Sequence, residues 1–431
     1  MFSTSGIRSA GACGDVTKHV VVIGAGVVGL CVGLYCIEHG FDVTIVERNG
    51  EQRDGCSFGN AGMIVPSHFI PLAAPGAVAQ ALKWMMNPRS PFYMKPRASW
   101  DWIDWGMKFW KASNAEHVRR AATLLRDLHI ASRGSYEQLA HDGDDFGLVD
   151  AGTLMLCKTS HALADETRTA QYARALGLRA DVLDAEETAA LEPGVRLEIA
   201  GSVYFPGDCK IVPEQFVGTL QRRLAERGAR FAWNTNVSNC RIEKGTLRAV
   251  ASKQRDVEGD EFVLAAGSWS SALAHTLGIR IPLQAGKGYS MTMPNPRVLP
   301  KRAAILSEAR VAVSPMGGAL RVGGTMEMAG LDNGVNPKRV RTIIQEFPRY
   351  YRDFTASDFD AVQPWRGLRP CSPDGLPFIG RTRRYSNLFI ATGHAMMGMS
   401  LAPITGKLAA QVIAGDKPTI DLSLVSPDRY N

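Results

Sequence analysis

The chain has 431 residues, 45% hydrophobic and 21% charged, with a formal net charge of +7. That length exceeds one ordinary core and points to two interleaved domains, while the even composition excludes a low-complexity, collagen-like or repeat protein. No apolar run approaches bilayer-spanning length, and the basic residues are scattered rather than striped along one helix. Nucleic acid is therefore not an expected partner; the charge leaves ordinary solvated surface, anionic lipid or a carboxylate substrate open.

Eight cysteines, at positions 13, 31, 36, 56, 157, 209, 240 and 371, form no C-x-x-C pair and no metal-ligand cluster. This points to a reducing compartment, without a disulfide framework or bound metal, and to a cytoplasmic location. Residues 1–17 lack the apolar core of a secretory signal and are expected to be a flexible tail, with a short organelle-targeting peptide as the alternative.

The strongest local signal spans residues 19–48. Val20, Val21, Val22 and Ile23 form the β-branched run of a strand buried on both faces, and Gly24-Ala-Gly-Val-Val-Gly29 follows it. In such a turn Gly24 permits the bend, Gly26 lets a pyrophosphate approach the backbone, and Gly29 lets the next helix, about 27–39, pack on the strand. Free N–H groups at Val27 and Val28, together with Ala25, then face phosphate. A second strand over about 42–46 ends in Glu47, placed to accept ribose hydroxyls; Arg48 beside it suits a 2′-phosphate, so NADP stays open at this point.

In a nicotinamide enzyme a third β-α unit would follow promptly, but here a loop does, with Ser57-Phe-Gly-Asn-Ala-Gly-Met63 dominated by small residues against which a flat ring can lie. Over residues 66–112, Trp84, Trp100, Trp102, Trp105 and Trp110 stand among six prolines, including Pro88 and Pro96. That density suits a substrate pocket, a membrane interface or packing between domains. His68, alone in a loop, carries no catalytic expectation.

Helices are expected over 115–141, 161–176, 184–191 with an Asp184/Glu187 capping box, and from Pro213 to Arg227 with Gly228 as the stop. A strand at 153–156 and another at 201–205 intervene. Near 261–270 an apolar strand runs into Ala265, Ala266 and Gly267, bringing backbone close to something bulky, and residues 280–330 alternate as an antiparallel sheet. A helix is expected at 337–350. Leu388 to His394 reads as a buried strand meeting glycine, and Gly398 to Ile413 as a helix whose N-terminus faces the polar edge of a ring.

Taken together, five motifs in order resemble the FAD-dependent D-amino-acid dehydrogenases within the D-amino-acid, glycine and sarcosine oxidase superfamily: the glycine fingerprint, Ser57 to Gly62, Lys287-Gly-Tyr-Ser290, Gly367-Leu-Arg-Pro370 with Pro373-Asp-Gly375, and Ala391-Thr-Gly-His394. The resemblance implies a Rossmann-type FAD domain assembled from residues 18–80, 142–160, 201–275 and 362–431, and an antiparallel substrate domain from 81–141, 161–200 and 276–361. It implies that Gly24, Gly26, Gly29 and Glu47 hold the ADP half, that Asn60, Ala61, Gly62 and Met63 lie along the ring, and that Val237 contacts adenine. Gly393, His394, Met397, Gly398, Met399 and Ser400 would meet the pyrimidine edge, and Arg369 would clamp a substrate carboxylate. Tyr289 is expected as a pocket wall or hydroxyl donor, catalytic alongside Arg369, and His394 as a structural partner.

The chain departs from related enzymes at two places. Glycine oxidases carry a second arginine where this chain has Met396, which disfavours glycine, and the cysteine that attaches FAD in monomeric sarcosine oxidases is replaced by Gly367, which implies non-covalent FAD. The implied reaction is oxidation of a D-amino acid to a 2-oxo acid by way of an imine, with electrons passing to a quinone pool, another electron-transfer partner or oxygen, and with peripheral attachment to the inner face of the membrane. A cyclic D-imino acid such as D-proline or hydroxy-D-proline is the alternative substrate; a nicotinamide dehydrogenase and a non-catalytic FAD-binding subunit are the rival classes.

Overall fold

A computed structural model describes residues 17–85, 90–95, 97, 99–253 and 255–431. The tail expected over 1–17, save Thr17, lies outside the described residues, as do Cys13, Pro88 and Pro96. Two sheets organise the rest. The first has six strands in the order Phe378–Arg381, Leu388–Thr392, Glu261–Leu264, His19–Ile23, Asp42–Val46 and Arg230–Ala232. Val20 to Ile23 pair in parallel with Glu261 to Leu264 on one side and with Val43 to Val46 on the other, and lie in the core. Only the edge pair Phe378–Arg381 and Leu388–Thr392 is antiparallel. The next strand parallel to Asp42–Val46 is Arg230–Ala232, so no third β-α unit directly follows residue 48.

Helix Val27–Glu38 buries residues on every side because it runs between this sheet and helix Gly398–Ala414, itself apolar along its length. A helix apolar all round must be interior, and this pair forms the centre of the largest core. Helix Ala115–His141 closes the same core through Leu124, Leu125 and Leu128, and begins at Asn114, whose side chain accepts from the His117 N–H. Helix Ala185–Leu191 carries the expected capping box between Asp184 and Glu187, and helix Pro213–Glu226 opens on proline.

The second, nine-stranded sheet runs Trp365–Cys371, Gln284–Met293, Ala319–Met328, Val311–Met316, Ala303–Leu306, Thr153–Cys157, Gly201–Phe205 and Asp181–Asp184, with Phe92–Met94 added beside Ala319–Met328. It is antiparallel except where Ala303–Leu306 meets Thr153–Cys157 and where Phe92–Met94 joins. Helix Pro337–Tyr350 covers one face with Val340, Ile343, Phe347 and Tyr350, an i, i+3, i+7, i+10 stripe. One expected division changes here. Residues 153–157 and 201–205, assigned by sequence to the dinucleotide-binding unit, pair with each other and extend the larger sheet. Short apolar strands carry no mark of which sheet will accept them, so their sequence left the partner open.

The tryptophan-rich stretch, whose sequence pointed to no particular element, contains helices Ala77–Met85 and Trp100–Ala112. Ser99 caps the second, accepting from Trp102 N–H. Trp105 is buried, donates its indole N–H to the Cys371 carbonyl at 3.0 Å, and stacks with Trp102 and Phe109. Among the described residues, no helix is long and apolar enough to cross a membrane.

Candidate active site

A cavity of about 550 Å³ opens where the carboxyl ends of the parallel strands meet the edge of the larger sheet. Open α/β sheets bind ligands outside their strand ends, where loops diverge. One wall is the glycine turn, Gly24 to Val28, followed by Glu47 and Arg48, then Val237, Ala266 and Gly267; the other includes Gly367 to Pro370.

The glycines differ in their tasks. Gly24 has φ of +110°, and a Cβ there would stand 2.5 Å from the Ala265 carbonyl, so the close approach of the turn to the Glu261–Leu264 strand needs glycine. Gly26 instead faces open space; a Cβ there would meet only Ser57 Oγ at 3.8 Å. Its bare backbone therefore lets a ligand approach the helix N-terminus, where Val27 N–H donates to Ser57 Oγ at 3.0 Å. Glu47 is buried and accepts from Ala25 N–H and from Asn49 N–H, both at 2.9 Å, one on each carboxylate oxygen. Each oxygen retains a lone pair for a ribose hydroxyl.

Arg48 stacks over Trp269, 3.6 Å from the ring centroid. Arg53, which sequence reading passed over, donates from Nη2 to the Ala25 carbonyl at 2.7 Å and from Nη1 to Gln221. It braces the turn while lining the same cavity, and nothing in its local spacing marks it.

Loop 57–63 is held from the sheet side. Asn60 Oδ1 accepts from Gly62 N–H at 2.8 Å, and Ser290 Oγ donates to the Gly59 carbonyl at 2.9 Å. The Trp365 ring lies between Gly59 and Gly367, each of which lacks the Cβ that would overlap it. Arg321, also missed in the sequence, donates from Nη1 to the carbonyls of Phe58 and Asn60 and pairs with Glu214. Ser57 and Asn60 line the cavity. Ala61, Gly62 and Met63 lead away from it, Met63 into a two-stranded pairing with Lys210.

Arg369 lines the cavity from strand Trp365–Cys371. Its guanidinium lies across Gly288, where any side chain would collide with it, and Nη1 donates to the Thr325 carbonyl at 2.8 Å. The structure does not bring Tyr289 there. Gly286 stands opposite Arg369 and Gly288 opposite Gly367, so the pleat puts Tyr289 on the other face of the sheet. Tyr289 is fully buried and donates to Glu327 at 2.8 Å while accepting from Asn336 N–H. It is a strut for residues 332–336 rather than a pocket wall.

His394 lines the cavity, with its Nε2 3.0 Å from Thr405 Oγ1. Burial pushes its imidazole down to about 3, so it is neutral and a poor base. Gly398 and Met399 complete the floor at the start of helix Gly398–Ala414. Gly29, Gly393, Met397 and Ser400 stand behind this lining, Ser400 accepting from Val65 N–H at 3.0 Å. Met396 is an exposed residue outside the cavity. No group of three or more potential metal ligands occurs among the described residues. An open glycine face at a helix N-terminus, a buried carboxylate with free lone pairs and a second helix N-terminus across the cavity suit a flavin dinucleotide.

Comparison with known proteins gives the same picture. The family model for DAO, FAD dependent oxidoreductase, matches residues 19–412. A D-amino acid dehydrogenase of Granulibacter bethesdensis is 32% identical over 421 residues, covering 96% of this chain and 99% of that protein. One from Agrobacterium fabrum is 31% identical over 426 residues, covering 96% and 99%. Among solved structures, glycine oxidase from Geobacillus kaustophilus superposes with a TM-score of 0.77 at 22% identity, covering 96% of this chain and all of that one. Iminodiacetate oxidase from Chelativorans sp. BNC1 gives 0.70 at 20% identity, covering 95% and 98%. The fold is thus a Rossmann-type FAD-binding sheet with an antiparallel substrate sheet.

Proposed function

Since the chain belongs to the DAO family of FAD-dependent oxidoreductases and carries out flavin-dependent amino-acid oxidation, we propose that its substrates are D-amino acids, that its FAD is held non-covalently, and that a membrane quinone accepts the electrons. Arg369 carries this reading. It is a guanidinium on the cavity wall that, among the described residues, gives one hydrogen bond, leaving donors for a carboxylate. Similarity to D-amino acid dehydrogenases supports the D stereochemistry.

FAD, when bound, supplies the acceptor for the hydride that leaves Cα. The chain's own residues supply geometry. Arg369 pairs with the substrate carboxylate through two parallel N–H bonds and so fixes the orientation in which Cα, with its single hydrogen, is held in the cavity. Leu368, Pro370, Ala395 and Met399 give the cavity an apolar lining that excludes water from the reacting atoms. Burial keeps His394 neutral and a poor acceptor for the proton of the substrate ammonium, and hydride loss requires the amine in its free form. The imine product hydrolyses in water to the 2-oxo acid and ammonia.

The quinone assignment rests on helix Trp100–Ala112. Trp100, Ile103, Met107 and Trp110 recur at helical spacing and are 45–77% exposed, on the side away from buried Trp105. Leu82 of the neighbouring helix is also exposed, and Lys83, Lys95 and Lys111 are basic residues in these same segments. An apolar stripe with tryptophans at both ends and basic flanks suits the interface of an anionic membrane. Through Trp105 this helix is bonded to Cys371, two residues from Arg369, which puts the lipid face close to the substrate strand.

The deciding experiment is anaerobic titration of the yellow holoprotein with a panel of D- and L-amino acids and D-proline. D-amino acids are expected to bleach the flavin and L-isomers to leave it oxidised. Bleaching by L-isomers alone, or by glycine alone, would refute the substrate assignment.

A further inference from the structure

We propose that Arg366 is a latch across the dinucleotide cavity, joining Asp54 on one wall to Asn333 on the other, and that this latch sets the rate at which FAD leaves. All three residues line the cavity. Arg366 Nη1 donates to Asp54 Oδ2 at 2.7 Å, and Nε donates to the Asn333 carbonyl at 3.0 Å. Asp54 belongs to the segment that follows strand Asp42–Val46 of the first sheet. Asn333 belongs to the segment between strand Ala319–Met328 of the second sheet and helix Pro337–Tyr350. One side chain thus ties a loop of each sheet to the other.

The two ends of the latch differ in firmness. The Asn333 end is held by strand Gln284–Met293, whose Lys287 and Tyr289 alternate with Gly286 and Gly288 and so fall on the face away from Arg369. Lys287 is fully buried; its ammonium donates to Asp332 Oδ2 at 2.6 Å and to the Gly334 carbonyl at 2.8 Å, with Glu327 Oε1 4.0 Å away. A buried ammonium has to be paired and hydrogen-bonded, and here two of its partners are the residues on either side of Asn333. The Tyr289 hydroxyl accepts from the Asn336 N–H at 3.2 Å and ties down the end of the same loop. Lys287 and Tyr289 therefore serve the latch from one face of the strand, while on the other Gly288 leaves room for Arg369 and Ser290 holds the Gly59 carbonyl.

The Asp54 end is loose. Its side chain is 71% exposed, against 26% for Arg366. Its neighbour Arg53 is bonded separately to the Ala25 carbonyl and Gln221, so the glycine turn stays braced when Asp54 lets go, whereas Gly55, Cys56 and Ser57 continue from Asp54 along the cavity wall. Exposed ion pairs are weak and screened by salt, which suits a contact that has to open for the cofactor to pass. Arg366 stands opposite Tyr289 in the strand pairing and so lies outside the carboxylate clamp of Arg369.

This inference rests on the reading that FAD is held non-covalently, and that reading is checked apart: acid denaturation of the holoprotein should leave the flavin in the supernatant. Flavin that stayed with the denatured chain would refute non-covalent attachment and, with it, a latch on release. The latch itself is tested by diluting holoprotein into flavin-free buffer at low salt and following the flavin left on the protein by rapid ultrafiltration. Arg366→Met is expected to release FAD roughly tenfold faster than the unaltered protein, and Asp54→Asn roughly threefold faster, as loss of an exposed ion pair with and without the bond to a carbonyl implies. Because both residues act through one contact, the double variant should release FAD no faster than Arg366→Met alone. Salt at about 1 M should bring Asp54→Asn and the unaltered protein together. If Arg366→Met fails to fold, Asp54→Asn, which changes only an exposed side chain, decides. Unchanged or slower release from Asp54→Asn, or additive effects in the double variant, would overturn the latch, since Arg366 would then act without Asp54.

Discussion

Arg321 and Arg369 stand on the same sheet, yet their surroundings differ in a way that separates a structural guanidinium from a binding one. Arg321 is buried and spends its donors on protein: Nε on Thr292 Oγ1, Nη1 on the carbonyls of Phe58 and Asn60, Nη2 on Glu214. Among the described residues Arg369 gives one bond, to the Thr325 carbonyl, and it lines the cavity. Its acceptor comes from an unusual place, since Thr325 has φ of +65°, a costly conformation for a β-branched residue. In that conformation the Thr325 carbonyl meets the arginine. The number of donors already satisfied, rather than the presence of an arginine, tells the two roles apart.

Removing each charge tests that distinction. Arg369→Ala is expected to retain FAD and thermal stability but to weaken substrate, since losing one partner of a buried charge-assisted pair costs on the order of 2–5 kcal/mol, or roughly thirtyfold to several thousandfold in KM. Steady-state kinetics on a D-amino acid reads this out. Normal oxidation by Arg369→Ala would place the carboxylate clamp elsewhere.

Two buried carboxyls repeat the contrast between paired and unpaired charge. Asp374 is buried but bonded twice by Arg429, which outweighs burial and holds its carboxyl below the usual range. Among the described residues Asp208 is bonded by the Ser67 hydroxyl and amide, and burial raises its carboxyl to about 7. A folded-state value above the unfolded one means that the native protein binds the extra proton, so stability is greatest at low pH and falls as pH rises from about 4 through about 7. For about three pKa units this amounts to on the order of 4 kcal/mol at most. Chemical denaturation across that range should show the unaltered protein losing stability relative to Asp208→Asn. A constant difference between them would mean that Asp208 is charged throughout.

Arg321→Met is expected to act oppositely to Arg369→Ala. It leaves two carbonyls and a hydroxyl without their donor, a loss of about 2–3 kcal/mol at roughly 1 kcal/mol each. Melting temperature and FAD affinity should both fall while KM for the amino acid changes less. If FAD affinity holds, loop 57–63 does not depend on Arg321.

The sequence made the first of the two sheets easy to read and the second hard, for a physical reason. A parallel strand, its glycine turn and the helix after it lie within thirty residues, and Asp184 with Glu187 is a local capping pair. Arg321, by contrast, meets Glu214 from 107 residues away, and Thr153–Cys157 chooses partners at 201–205 and 303–306. The face on which Tyr289 falls becomes readable only once Gly286 is known to stand opposite Arg369. The helix at 100–112 was marked by apolar residues at 102, 105 and 109 on one side and at 100, 103, 107 and 110 on the other; two opposed stripes blur a single periodicity into mere tryptophan density.

That helix offers the smallest energetic effect and a sharp functional one, because it sets a satisfied face against an unsatisfied one. Trp105 has a hydrogen-bond acceptor and stacked neighbours, whereas Trp100 and Trp110 are 77% and 67% exposed. Side chains already in water contribute little to folding, so the double variant Trp100→Ser with Trp110→Ser should change stability by no more than about 0.5 kcal/mol. Its bleaching by D-amino acids in solution should match the unaltered protein. Co-sedimentation with vesicles containing anionic lipid should be lost, as should reduction of a quinone dissolved in those vesicles, while a water-soluble acceptor still works. Salt should weaken binding of the unaltered protein if Lys83, Lys95 and Lys111 assist, since exposed charges are screened beyond about 8 Å at physiological ionic strength. A stripe that serves instead as a contact between two copies of the chain would show itself differently: the double variant would shift from dimer to monomer in sedimentation, and vesicles would bind neither form.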